Sequence, residues 1–178
     1  MTIRRILKYG EQTLREPSKE VFKVSKKIQE LVHDMLETMY KANGVGLAAP
    51  QIGENLRIFV IDVSTENEPL NPLVFINPKI IKKKGSIRTQ EGCLSFPEVY
   101  SDVNRAEYVM VKAIDIKGKS FVMEAGEGSL LARAIQHEFD HLEGILFIDR
   151  CADLDQTEQE LAKHNLPKVQ QDKLIKEV

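Results

Sequence analysis

One stretch, Ser129 to Gly144, restricts what this chain can fold into more than any other. Ser129 is suited to cap a helix and Gly144 to stop one. Between them Leu130, Leu131, Ala134, Ile135 and Leu142 make so much of the helix apolar that it must be covered on most sides. Yet the same helix carries His137 and His141, with Glu138 beside the first. Buried polar groups without partners cost ~1–3 kcal/mol each, so the rest of the chain must both wrap this helix and supply it with partners.

His137 and His141 stand four residues apart on one helix face and can point two imidazoles at one ion. Glu138 follows the first of them, where it can reach a metal-bound water, which is the mechanical content of an H-E-x-x-H pattern. Two solvated surface histidines are the alternative, and the apolar residues around them argue against it. Two ligands do not complete a catalytic site, which usually has three protein ligands and an open position. Downstream, Glu158, Glu160 and His164 are candidates, although they read as a solvated helix face. Upstream, Cys93 is another. A lone cysteine is otherwise a small buried apolar group, and Cys151 reads that way. Residue chemistry alone leaves a zinc endopeptidase, another amide hydrolase and a purely structural metal site all open.

The 178 residues suit a single domain, 1–178, with 151–178 as a C-terminal tail. A net charge of -2 gives no reason to expect a long polyanion as main ligand, and Lys82-Lys83-Lys84 reads as a solvated strand end. No apolar run is long enough to span a bilayer, and Met1 to Gly10 lacks the pattern of a signal peptide. A reducing cytoplasm is therefore the expected compartment, where the one bridge that two cysteines allow would seldom be kept.

The remaining chain reads as helix, strands, helix and tail. Ile28, Leu31, Val32, Met35, Leu36, Met39 and Tyr40 recur at helical spacing within Glu20 to Ala42, with Ser25 as cap, Asn43-Gly44 as stop and His33 on the solvated face. Gly44 to Gln51 is too small and glycine-rich for a good strand. Arg57 to Val63 and Val74 to Ile81 read as strands, Glu91 to Pro97 as a short extended piece. Val109 to Ile116 and Ser120 to Ala125 read as a hairpin turning at Lys117-Gly118-Lys119. Ile145 to Ile148 reads as a last short strand, and Thr157 with Glu160 as the capping box of a tail helix that Pro167 interrupts. The fold class is α+β, with antiparallel β-sheets packed around the central metal-binding helix, an N-terminal helix and a short C-terminal helix.

Three segments, Gly44-Val45-Gly46-Leu47-Ala48-Ala49-Pro50-Gln51, Glu91-Gly92-Cys93-Leu94-Ser95 and Gln136-His137-Glu138-Phe139-Asp140-His141-Leu142, together resemble the three signature motifs of the peptide deformylase family. They stand in the family's order and at similar spacing, and the resemblance spans residues 3 to 150. It implies Cys93, His137 and His141 as ligands of one divalent ion per chain, usually iron(II), with zinc, nickel or cobalt as substitutes. It implies Glu138 as general base, Gln51 and the backbone N–H of Leu94 as the groups that steady an oxyanion, and Gly46 as a backbone contact to substrate. The implied reaction removes the N-formyl group from the initiator methionine of new polypeptides and releases formate. The implied partners are nascent formyl-methionyl polypeptides, with transient ribosome contact; the charge and hydropathy read above give no reason to expect direct nucleic-acid or membrane binding. Val45, Leu130 and Ala134 are expected to form the methionine slot, plain core being the alternative. Glu91 and Arg105 are expected to pair and brace the cysteine loop, the alternative being an exposed pair worth ~0–1 kcal/mol. Residues 151–178 hold six acidic and four basic side chains. Some relatives end instead in a long basic helix, so this tail argues against ribosome docking by that route.

Overall fold

The helical spacing after Ser25 becomes α1, Lys26–Lys41, in the computed structural model, which describes residues 2–175. Ser25 Oγ accepts from the Ile28 N–H, and Asn43 takes the left-handed conformation (φ 54°) that ends the helix. His33 faces solvent. Seven strands follow: β1 (Gly46–Ala48), β2 (Ile58–Ile61), β3 (Leu73–Lys84), β4 (Ile87–Cys93), β5 (Phe96–Arg105), β6 (Tyr108–Ile114) and β7 (Ser120–Ala125). Helix α2 spans Leu130–Leu142 and α3 spans Leu154–Lys163.

Five strands form one antiparallel sheet in the order β1-β2-β3-β6-β7, and β4 pairs with β5 in a separate two-stranded sheet. The two-residue period of β2 sorts the core into layers. Ile58 and Val60 join Leu31, Val32, Met35 and Met39 of α1 in one cluster. Phe59 and Ile61 join Val109, Val111 and, from α2, Ala132, Ile135 and Leu142 in another. The five-stranded sheet is thus covered by α1 on one face and α2 on the other, which explains why all four residues of β2 are buried. A third cluster gathers Phe96, Val99 and Val103 of β5 with Leu7, Leu14, Phe147, Leu161 and Val169.

The α+β class with antiparallel sheets around the motif helix is what the sequence leads one to expect; several local readings need correction. Gly46–Ala48 is a strand after all. Its small residues register against Ile61, Val60 and Phe59, so pairing to a β-branched partner outweighs weak intrinsic propensity. Pro50 sits in a 3-10 turn, Ala49–Ile52. Glu91 to Pro97 is not one extended piece but the tight end of the β4–β5 hairpin, whose strands run well beyond it on both sides. Ile145 to Ile148 is not a strand; Phe147–Arg150 forms a 3-10 turn, and the Asp149 carboxylate accepts from the Leu146 N–H at 2.7 Å. The tail helix is capped by Asp153, which accepts from the Gln156 N–H at 3.0 Å, not by Thr157. Thr157 lies a turn inside, and its hydroxyl bonds the Asp153 carbonyl and Ser101. Asn165 (φ 56°) ends that helix before Pro167 is reached. Lys82-Lys83-Lys84 do close β3, exposed. Of the tail's counted charges, Lys176 and Glu177 lie outside the described residues.

Candidate metal centre and cleft

Ser129 Oγ caps α2 by accepting from the Ala132 N–H at 3.2 Å. The helix is packed so closely that His137, Glu138, Asp140 and His141 are all below 10% exposed. Cys93 ends β4 at a register shift that turns the strand into the Leu94-Ser95 corner. This brings its Sγ to 3.3 Å from His141 Nε2. Donor atoms of Cys93, His137 and His141 all lie within 4.8 Å of one another.

The surroundings decide which atoms remain available. Glu91 Oε2 stands 2.9 Å from His137 Nδ1, so the carboxylate holds a proton there and Nε2 is the nitrogen that would give up its proton to bind an ion. Glu91 is itself gripped by Arg105, whose Nε and Nη2 each donate at 2.9 Å. The remaining arm of Arg105 donates to Asp140, which also accepts from Arg150 at 2.7 and 2.9 Å. Arg105 is only 2% exposed, so the brace expected of Glu91 and Arg105 is a buried network rather than a surface pair. Burial alone would raise the Glu91 carboxyl, but Arg105 and His137 hold it well below the usual carboxylate range.

Glu138 has no such ion pair among the described residues. Burial pushes its carboxyl up to about 7. Its Oε2 and the Nδ1 of His141 have no hydrogen-bond partner among the described residues. Burial and the nearby charge of His137 hold His141 well below the ordinary histidine range, which keeps it a neutral imidazole. Burial opposes a charged His137, but the Cys93 and Glu91 side chains raise it well above that range. Gly46 lies directly against Glu138: a Cβ at that position would collide with the carboxylate. Gln51 turns its Oε1 to the Ala48 N–H at 2.8 Å and its Nε2 toward Ser95 Oγ (3.2 Å) and Cys93 Sγ (3.4 Å).

These groups open into a cleft of about 570 Å³ lined also by Val45, Leu130 and Ala134. Val45 and Leu130 are 43% and 42% exposed, so they are cleft wall rather than plain core, while Ala134 is buried beneath them. Glu158, Glu160 and His164 are not brought to the histidine pair. Glu158 pairs with Lys168, and Glu160 with Lys163 and His164. Cys151 is half-buried in a bridge to Val103, and burial pushes its thiol up. Sequence reasoning missed Asp140, Arg150 and Ser95. The position of Asp140 on a helix that must be buried was the available signal, since a buried carboxylate calls for a cation.

The donor set fits a divalent transition ion. It joins one sulfur to two imidazoles, a set that suits zinc and iron, with one imidazole already oriented by a carboxylate as metal-binding histidines usually are. The unpartnered Glu138 oxygen beside it matches a site that keeps one position open.

The polypeptide deformylase family matches residues 3–157, most of the chain. The chain belongs to that family. It is 50% identical over 150 residues to the peptide deformylase of Clostridium botulinum, covering 84% of this chain and 97% of that one. It is 49% identical over 153 residues to peptide deformylase 1 of Clostridium acetobutylicum, covering 86% and 97%. Among solved structures, a peptide deformylase from Synechococcus elongatus in complex with actinonin superposes with a TM-score of 0.85 at 42% identity, covering 91% of this chain and 86% of that one. The Thermotoga maritima peptide deformylase gives 0.80 at 39% identity, covering 86% and 100%. Deformylases are metal-dependent hydrolases, and the α+β architecture seen here is theirs. No helix among the described residues is long and apolar enough to cross a membrane.

Proposed function

We propose that this protein removes the N-formyl group from the N-terminal formylmethionine of newly made polypeptides and releases formate. The observation that carries the reading is the juxtaposition of half-buried Cys93 and buried His137 and His141 with a partnerless Glu138 at the floor of an open cleft. Cys93, His137 and His141 would hold a divalent ion, iron(II) by family resemblance, with zinc, nickel or cobalt able to replace it. When bound, such an ion supplies Lewis acidity, bringing the pKa of water to ~7 and polarising a carbonyl.

The side chains supply the rest. Glu138 is poised near neutrality by burial and has a free oxygen, so it takes a proton from the attacking water and returns it to the leaving amine. Charge developing on the formyl oxygen is met by the Gln51 Nε2–H and the Leu94 backbone N–H, each such donor typically worth ~10²- to 10³-fold in rate. The Gln51 amide is fixed for that task because its oxygen is tied to Ala48. Gly46 lets the strand pass close to Glu138 and offers backbone groups to the peptide. Val45, Leu130 and Ala134 receive the methionine side chain, and the open end of the cleft passes the chain that follows. The substrate is made on ribosomes, so the enzyme acts in the cytoplasm and its contact with the ribosome is transient.

Formate release from a formyl-Met peptide by anaerobically prepared, iron(II)-loaded protein tests the reading. Robust release is expected, and none from a folded, metal-replete sample would overturn it. Glu138→Ala is expected to lose ~10²- to 10⁴-fold in kcat while retaining its metal. Undiminished turnover would remove the general-base role.

A further inference from the structure

The two oxyanion donors named above sit on different loops, forty-three positions apart in sequence. Donors of this kind act only when held 2.7–3.1 Å from the developing charge, and misplacement by ~1 Å can cost ~10²-fold. Something must therefore fix the gap between the Gln51 turn and the Leu94-Ser95 corner. The extended segment Leu7–Tyr9 spans it. The Leu7 N–H donates to the Gln51 carbonyl at 2.7 Å, and the Tyr9 N–H donates to the Ser95 carbonyl at 3.0 Å. Between them, Lys8 Nζ donates to the Leu94 carbonyl at 2.8 Å, linking residues 86 apart.

The segment is anchored on both sides of that lysine. Leu7 is buried in the third core cluster, and Tyr9 stacks on Phe96 with ring centroids 4.6 Å apart. The Lys8 N–H donates to Glu11 at 2.7 Å, and Glu11 is held in turn by Arg5 at 2.6 Å. Leu94 is constrained from a second direction, because its side chain lies against Gly44: a Cβ there would come within 2.6 Å of Leu94 Cδ1. Two of the three bridging bonds come from the main chain, which any residue other than proline could supply. The third comes from a side chain, so it alone depends on residue type.

We propose that Lys8 is a positioning residue for deformylation: its ammonium group pins the Leu94 carbonyl and so sets where the Leu94 N–H stands relative to Gln51. The inference rests on the reading of Gln51 and Leu94 as oxyanion donors. It assigns Lys8 no contact with substrate or ion.

Lys8→Met removes the donor and keeps the aliphatic stem, whereas Lys8→Arg keeps a donor. With iron(II)-loaded protein and a formyl-Met peptide, Lys8→Met is expected to lower kcat about 5- to 20-fold with KM within about twofold, and Lys8→Arg to recover most of the loss. Metal content should match wild type. In the metal-free protein, amide hydrogen exchange at Leu7 and Tyr9, whose N–H groups bond across the same gap, should be at least about fivefold faster in Lys8→Met than in wild type or Lys8→Arg, because a bond holding the segment to the corner is gone. Wild-type kcat in Lys8→Met, or a raised KM at unchanged kcat, overturns the proposal while leaving the deformylase reading intact. Should wild type itself release no formate, the reading falls and takes the catalytic role of Lys8 with it. The exchange measurement then still judges the clamp, which unchanged rates at Leu7 and Tyr9 would refute.

Discussion

Glu138 and Asp140 lie two residues apart on one buried helix, and their circumstances are opposite. At ~100° per residue they point ~200° apart, onto different faces of α2. Asp140 meets two arginines, and both of its oxygens are bonded. Glu138 makes no ion pair among the described residues, is left with a bare oxygen, and is driven toward neutrality by burial. The helix delivers two carboxylates to the interior, and what the neighbouring strands provide decides that one is scaffold and the other chemistry. β5 ends in Arg105, whereas β1 brings glycine to the opposite side. A satisfied charge rigidifies; an unsatisfied one stays available for a proton.

The sharpest way to break this contrast is to strip the satisfied side. Arg105→Met leaves Glu91 and Asp140 short of a buried cation, and a loss of ~3–5 kcal/mol is expected from denaturant unfolding of the metal-free protein. A change under ~1 kcal/mol would mean that Arg150 and His137 suffice without it. Next in size, Cys93→Ala leaves the Arg105 network untouched but should weaken metal binding by more than the ~10- to 100-fold that follows loss of an outer partner. Competition with a chelator measures it, and unaltered affinity would return the third ligand to the open question it was in the sequence.

The smallest effect probes the unsatisfied side. The folded protein raises the Glu138 pKa, so between the ordinary carboxylate value and about 7 the native state binds more protons than the unfolded chain. Stability of the metal-free protein contributed by this group therefore falls as pH rises through that window. Glu138→Gln cannot ionise, and its stability relative to wild type should grow from pH 4 to pH 8, by an amount on the order of 1–3 kcal/mol. Denaturation midpoints of both proteins across that range test it; parallel curves would show that Glu138 is not destabilised by ionising.

The contrast also marks where sequence reading succeeds. α2, its cap at Ser129 and its histidine spacing were legible because helix periodicity and capping are local properties. So was α1, from Ser25 to Asn43. The hairpin around Cys93 was not, because Gly92 to Pro97 follows neither period and its strands are defined by cross-strand partners such as Tyr100 and Ser101. β1 was misread for the same reason, its strand character being conferred by β2. The pairing of Glu91 with Arg105 could be anticipated, but its burial and its extension to Asp140, Arg150 and His137 could not. Those depend on β4, β5 and α2 converging in space. Most of the site's residue types were thus visible in the sequence; the hydrogen-bond partners that separate scaffold from reactive group were not.

Among the described residues the two sheets share no hydrogen-bonded strand pair, and Cys93 belongs to the small one while both histidines ride on a helix packed against the large one. An ion held by all three would act as a fastener between separately hydrogen-bonded bodies. Its binding energy would then count toward holding those bodies in register, and starving the protein of metal would loosen the very hairpin that carries the third ligand. Loss of ion and loss of local order would reinforce each other, so that metal depletion would be felt as a change in cooperativity as well as in activity.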